Sequence, residues 1–193
     1  MLFDAIPAEL HKNSSRYHLS SVLANKRAEQ ILAPLAELKD SQTVIMAYHA
    51  NDPNAGMSSS KDLTRFKMFA ADTGLFTTLT FKDRDFTENI IYEKLLNDKL
   101  AANLGYMYEN AVAQALTTKG NELFYYTFKD DDTAKKYEKD FLLPEKNKVC
   151  PFEVKSSGYK THASLDKFSE KFQATFLKSI LSIQRTCTET WMC

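Results

Sequence analysis

Three strand-forming runs follow one another in the second half of the chain, at 121–128, 139–144 and 148–154. Short runs rich in aromatic and apolar residues, separated by charged turns, are typical of β-strands. The segments on either side, 104–116 and 164–172, repeat their apolar residues every three or four positions, as amphipathic helices do. The sequence therefore predicts a helix, three consecutive strands and a second helix, which places the chain in the mixed α/β or α+β class.

The first half of the chain predicts a different order of elements. Pro7 is placed to open a short helix, and the apolar spacing of 21–38 predicts a longer helix that Pro34 should kink or split. A strand is predicted at 43–50, followed by a polar, turn-rich loop at 51–62. This order suits a small winged-helix-like module, although many small α+β units share it.

The composition argues against a strongly basic nucleic-acid-binding protein, a membrane protein and a structural zinc site. The 193 residues suffice for one large domain or two small ones, and 25 basic residues balance 25 acidic ones, so any contact with nucleic acid must come from local patches. The first residues lack a basic start followed by an apolar run, and no apolar stretch is long enough to span a membrane. Three cysteines without a Cys-x-x-Cys spacing argue against a structural zinc site. A cytoplasmic protein without a membrane segment is expected.

A carboxylate and an amine, Glu153 and Lys155, stand two positions apart in the last predicted strand. Side chains two apart on a strand point to the same face, so this spacing predicts a pair. A hairpin turn at 145–148 would bring Asp140, on the preceding strand, toward Glu153. Two adjacent carboxylates either share a proton or hold a cation, and oxygen ligands of this kind suit Mg²⁺. Glu109, on the preceding helix, is expected to point partly inward and reach the same cation.

A plain surface interpretation competes with this one. A Glu-x-Lys pair on a strand is common as a solvated pair, and taken alone this pair would favour that interpretation. The order of the acidic residues favours a site instead. Glu109 lies on a helix, Asp140 on a strand, and Glu153 with Lys155 on the next strand.

This order resembles the core of the PD-(D/E)xK nucleases. The phrases "YENAVAQAL", "YEKDFLL" and "PFEVKSSGYKTHASLDKF" resemble the module of unknown function that follows the ATPase in a large prokaryotic family of AAA-type ATPases. The phrases "IPAELHKNSSRYHLSSVLANKRAEQ" and "FKMFAADTGLF" resemble the part of those proteins between the ATPase and the nuclease-like core. The resemblance covers roughly residues 4–173.

The resemblance implies a fold for each part of the chain. A winged-helix-like segment is implied at 1–68, and a restriction-endonuclease-like αβββαβ core is implied at 69–175. The residues at 176–193 would be an aberrant tail, so that the core lacks its last native strand. The family's Gly-rich phosphate loop is absent from this sequence, so the chain is expected to have no ATP site.

The resemblance also implies roles for residues. Asp140 and Glu153 would hold Mg²⁺, Lys155 would orient the attacking water or stabilise developing negative charge, and Glu109 would position the water shell of the metal. Lys139 departs from the family, which usually has an aliphatic residue before the aspartate. This extra charge would either bind phosphate or indicate that the edge of the strand is not buried.

The tail has an unusual composition. The only tryptophan and two of the three cysteines lie in "CTETWMC", at 187–193. Suitable codons for 184–193, read two nucleotides later, encode "KDLHRDVDV", which resembles the strand that the family has here. We therefore hypothesise that a one-base deletion near 173–175 put the tail out of frame. A tail not selected for the fold would leave an edge or apolar face of the sheet uncovered.

Three functions follow from the sequence. The first is a nuclease-like domain that interacts with DNA, with Mg²⁺-dependent phosphodiester cleavage by Glu109, Asp140, Glu153 and Lys155. The second is a module that binds DNA without cutting it, and the third is an inactive, truncated gene product. The residues predicted to contact DNA are Lys26, Arg27 and Lys160, for which a solvated face is the competing interpretation.

Overall fold

The computed structural model describes residues 2–12, 16–17, 28–54, 56–82, 105–131, 133–155 and 163–172. In these ranges five strands form one mixed sheet, and six α-helices accompany it. The helices are α1 (Ile6–His11), α2 (Ala28–Asp40), α3 (Met57–Ser60), α4 (Thr73–Thr80), α5 (Gly105–Thr118) and α6 (Ala163–Lys171). The strands are β1 (Val44–Ala50), β2 (Lys61–Ala70), β3 (Leu123–Lys129), β4 (Lys136–Glu145) and β5 (Lys148–Phe152).

The strands lie in the order β2-β1-β3-β4-β5. β1 runs parallel to β3, and the other three neighbouring pairs are antiparallel. The order of a helix, three consecutive strands and a helix is confirmed as α5, β3, β4, β5 and α6. The strand predicted at 43–50 is confirmed as β1, and the short helix with Pro7 in its first turn is confirmed as α1.

The sheet is continuous across the predicted boundary between the two segments. The position between residues 68 and 69 falls inside β2, where Met68 pairs with Met46 and Phe69 with Ile45. β1 and β2 thus share one sheet with the three strands of the second segment. A mixed α/β fold describes this arrangement, and the winged-helix-like and endonuclease-like folds stay predictions.

Helices cover both faces of the sheet. On β3 the side chains alternate between the faces: Lys67 lies over the ring of Tyr125 on the face of α5, and Phe168 and Phe172 contact the ring of Tyr126 on the face of α6. The rings of Tyr126, Phe128, Phe168 and Phe172, with that of Tyr137, form an aromatic cluster that fixes α6 against β3 and β4.

Of two local predictions in the second segment, one is wrong and one is confirmed. Glu153 and Lys155 were expected within a strand, but β5 ends at Phe152. The predicted hairpin turn at 145–148 is confirmed, because Glu145 pairs directly with Lys148 and two residues link them. One of these, Lys146, has a φ of 55°, the left-handed backbone that a tight reversal requires.

Several predictions concern residues outside the described ranges. Lys26, Arg27, Lys160 and the tail at 176–193 all belong to this group.

Pro34 lies inside α2, which continues on both sides of it. Among the described residues, no helix combines the length and apolar character needed to cross a membrane.

Asn110 joins α5 to the end of β2. Its side-chain amide is fully buried, Oδ1 accepts a hydrogen bond from Ala70 N at 2.8 Å, and Nδ2 donates to Ala70 O at 3.1 Å. Both backbone groups of Ala70 are thus satisfied by one side chain. A buried polar backbone group needs such a partner because water cannot reach it.

We expect Asn110→Ala to lower the free energy of unfolding by about 2–4 kcal/mol, because it leaves a buried N–H and a buried C=O without partners. Urea denaturation followed by circular dichroism measures this change. Asn54→Ala, at an exposed loop position, is the matched control and should change the stability by less than about 0.5 kcal/mol. Equal destabilisation by the two variants would contradict the role given to Asn110.

His49 lies at the junction of β1 and β3. Its ring packs edge-on against Tyr125 and stacks on Tyr126, and Nε2 lies 3.1 Å from Thr127 Oγ1. Burial, together with the positive charge of Arg65, lowers the pKa of His49 below its ordinary value. The native chain therefore holds this imidazole neutral at a pH where the unfolded chain would protonate it.

We expect His49 to make the protein less stable as the pH falls below about 6.5, because the unfolded state then binds a proton that the native state resists. His49→Gln keeps a polar side chain near Thr127 but does not titrate. The loss of unfolding free energy between pH 7.5 and pH 5.5, measured by urea denaturation, should be smaller in this variant than in the wild type. An equal loss in both proteins would refute the expectation.

Candidate functional site

The four residues predicted to form the site all lie in the described ranges. Glu109 is on α5, Asp140 is on β4, and Glu153 and Lys155 follow the end of β5. The two strands are antiparallel neighbours, with Phe141 opposite Phe152. The tertiary structure therefore brings the helix, the aspartate strand and the Glu-x-Lys segment to one region of the sheet.

An unpredicted lysine lies at the centre of the acidic residues. Lys67, on β2, places its Nζ 2.6 Å from Glu109 Oε1 and 2.6 Å from Glu138 Oε1, and only 6% of its side chain is exposed. Its side chain extends over the ring of Tyr125, with Nζ 5.5 Å from the ring centroid. We call Lys67, Glu109, Glu138 and Asp140 the Lys67 cluster.

The Lys67 cluster holds more negative than positive charge. Burial raises the pKa of Asp140 to about 7, and the negative charge of Glu109 acts in the same direction, while Lys67 and a backbone N–H oppose it. Burial alone would lower the pKa of Lys67, but the charges of Glu109 and Glu138 outweigh it and raise that pKa. Lys67 is thus held as an ammonium ion, whereas Asp140 resists ionisation.

Asp140 also connects this cluster to the Glu-x-Lys segment. Its Oδ2 accepts a hydrogen bond from the backbone N–H of Val154 at 2.7 Å. This bond ties β4 to the residues immediately after β5, where the ladder between the two strands has ended. Asp140 is therefore held by the segment 153–155, and the charge of Glu109 acts on its carboxyl group.

Glu153 lies between two lysines. Its Oε2 is 3.2 Å from Lys139 Nζ, and its Oε1 is 3.4 Å from Lys155 Nζ. The side chain of Lys139 is fully buried, and this burial lowers its pKa, against the raising effect of the Glu153 charge. Of the two explanations for the charge at position 139, an unburied strand edge is wrong. The lysine is buried and has a carboxylate partner.

An extra residue in β4 directs Asp140 and Glu153 to different partners. Phe124 pairs with Leu142 and Tyr126 with Lys139, so Asp140 and Phe141 together lie opposite Tyr125. Such a β-bulge re-aims side chains relative to a regular ladder. The ring of Phe141 contacts that of Phe69, which lies two residues after Lys67 on β2. The charges of Glu109 and Lys67 act on the carboxyl group of Asp140. The side chains of Asp140 and Phe141 therefore both lie on the face of the sheet that α5 covers.

The consequence is a divided site. Glu109 and Asp140 belong to the Lys67 cluster, while Glu153 forms ion pairs with Lys139 and Lys155. In the part of the chain that the structure describes, no three Asp, Glu, His or Cys side chains are grouped to hold a metal ion. Asp140, Glu109 and Glu138 nevertheless supply hard oxygen donors and excess negative charge, which is the donor chemistry that Mg²⁺ requires.

Two residues of the site were missed from the sequence, although each carried a signal. Lys67 interrupts the apolar run at 66–70, and a charged residue in a buried strand needs a partner. Glu138 stands two positions before Asp140, the spacing that places two strand side chains on one face. Neither signal indicates which distant residue is the partner.

Part of the chain is similar to a known protein family. Residues 104–186 match the model of a family described as a domain of unknown function, DUF4143. The matched range includes Glu109, Asp140, Glu153 and Lys155, and it runs past 173–175, where the sequence suggested a frameshift. No curated protein and no solved structure matches the chain. The second segment is therefore similar to a domain whose function has not been assigned.

Proposed function

We propose that this chain is a nuclease-like domain that contacts DNA and hydrolyses phosphodiester bonds with the help of Mg²⁺. The observation that carries the proposal is the position of Asp140. Its carboxyl group lies in the field of Glu109 on one side and accepts a hydrogen bond from Val154, within the Glu-x-Lys segment, on the other. The helix, the aspartate strand and the Glu-x-Lys segment therefore meet at one carboxylate.

The proposed roles follow from charge and position. Asp140 and Glu153 would hold Mg²⁺, and Glu109 would accept hydrogen bonds from its water shell. The ion would supply charge neutralisation at the phosphate and a more acidic attacking water. Lys155, 3.4 Å from Glu153, would place its ammonium group beside the phosphate and stabilise the negative charge that develops there.

The second candidate is DNA binding without cleavage. The observation in its favour is that Glu153 is already held by Lys139 and Lys155, so one carboxylate faces two ammonium groups. That arrangement leaves net positive charge after β5, which suits a phosphate, and engages the carboxylate that a metal would need. Lys155, whose side chain is partly exposed, would then position DNA without acting in a reaction, and the buried Lys139 would hold Glu153 beside it.

We expect the wild type to nick supercoiled plasmid DNA in the presence of Mg²⁺. We expect Asp140→Ala and Lys155→Ala each to lower the rate about a hundredfold, because the first removes a proposed Mg²⁺ ligand and the second removes the ammonium group proposed to stabilise the phosphate. Agarose gel electrophoresis of plasmid samples taken over time gives the rates. Lys148→Ala, at the exposed start of β5, is the matched lysine control and should keep the wild-type rate.

The same samples distinguish the alternatives. Nicking at one rate by the wild type and both site variants would reject the assigned site. Retarded migration of a labelled duplex without nicking would favour the binding module, and in that case Lys155→Ala should weaken the retardation more than Asp140→Ala does. Failure of the wild type to give a cooperative unfolding transition would favour the inactive gene product.

A further inference from the structure

Lys67 reaches Glu138 from a strand that is not its neighbour in the sheet. It is on the edge strand β2, whereas Glu138 is on β4, with β1 and β3 between them. The residue opposite Lys67 on β1 is Ala47, a small side chain. The lysine can therefore extend across the sheet toward Tyr125 and place its ammonium group between Glu109 and Glu138.

The ammonium group occupies the space that the carboxylates surround. Both N–O distances are 2.6 Å, at the short end of charge-assisted hydrogen bonds. Two oxygens that each contact one nitrogen at this distance are at most about 5 Å apart, which is a separation that a single oxygen-liganded cation can bridge after a small movement. Lys67 thus stands between two carboxylates that could otherwise approach one ion.

A second feature of this place is a polar atom without a partner. Tyr125 is fully buried under Lys67, and no described residue makes a hydrogen bond to its hydroxyl group. Burial raises the pKa of this hydroxyl to about 12, and the charges of Arg65, Glu138, Lys67 and Asp62 also act on it. A buried polar atom without a partner is rare in a folded protein, and it is satisfied when a water molecule or an ion's water shell enters.

We infer that Lys67 is an internal counter-ion that fills a divalent-cation site in the metal-free chain and is displaced from Glu109 and Glu138 when the cation binds. This inference rests on the proposed function, to which it adds Glu109 and Glu138 as direct ligands and Lys67 as a competitor. The cation is a hard one, of the class of Mg²⁺ and Mn²⁺, because every donor is a carboxylate oxygen. Lys67 is a positioning residue, since it acts on the ligands and not on a substrate.

The first test is metal binding by calorimetry, with Mn²⁺ as the probe. We expect Lys67→Met to bind Mn²⁺ at least tenfold more tightly than the wild type, because the cation no longer has to displace an ammonium group. Glu138→Gln should bind at least tenfold more weakly than the wild type. Lys61→Met is the matched control, since Lys61 is on the same strand and pairs with Glu122 outside the Lys67 cluster, and its affinity for Mn²⁺ should equal that of the wild type.

The second test uses only the wild type, so it does not depend on the folding of a variant. Acetylation by a limiting reagent, followed by mass spectrometry of peptides, reports how accessible each lysine is. Addition of Mn²⁺ should increase the labelling of Lys67 several-fold, because its ammonium group leaves the carboxylates, while the labelling of Lys61 should stay constant.

The outcomes separate this inference from the proposed function. Equal Mn²⁺ affinity in the wild type and Lys67→Met, or unchanged labelling of Lys67, would overturn the inference even if plasmid nicking depends on Asp140 and Lys155. Tighter binding by Lys67→Met would support it even if no plasmid is nicked. Absence of Mn²⁺ binding by both proteins at millimolar concentrations would overturn the inference as well.

Discussion

The parallel pairing of β1 with β3 is the contact on which the rest of this structure depends. It joins the antiparallel pair β1 and β2 to the three strands of the second segment through the pairs formed by Ala47, Tyr48 and His49. Parallel neighbours cannot be linked by a hairpin, so this pairing is made between residues far apart in the chain. It places Lys67 on the face that α5 covers, and Asn110 of α5 holds the end of the same strand. The candidate site therefore includes a residue from outside the unit of one helix, three strands and one helix.

The β-bulge in β4 is the second constraint, because it decides which residues each acidic side chain contacts. A regular ladder would make Asp140 and Phe141 point to opposite faces. With both residues opposite Tyr125, Phe141 packs on Phe69 and Asp140 lies in the field of Lys67 and Glu109. Glu153 meets Lys139 instead. Every carboxylate of the predicted site is consequently near a lysine, and each of these lysines compensates charge that would otherwise be costly to bury.

The elements around the site were predictable because their signals are local. Apolar spacing and strand-forming residues indicated the helix that became α5, the strands that became β3 and β4, and the order in which they follow. The sequence also predicted that Asp140 lies close to the segment 153–155, because a short turn makes consecutive strands antiparallel neighbours. The end of β5 at Phe152 was missed, because a strand ends where its partner ends, and that depends on β4. The partners of Lys67 and Lys139 were missed because they depend on the order of the strands and on the bulge.

The sequence by itself determined the types and order of the elements from α5 to α6, the residues that carry charge, and the pairing of β4 with β5. These properties depend on the periodicity of side chains along a helix or strand and on the length of a turn, which are set within a few residues. Only the tertiary structure decided that Lys67 reaches Glu109 and Glu138, and that Glu153 is held by Lys139. These contacts join residues from different strands and a helix, and one extra residue in a strand is enough to redirect a side chain. The positions of the charged residues could therefore be predicted from the sequence, but the lysine that pairs with each carboxylate depends on the order and register of the strands.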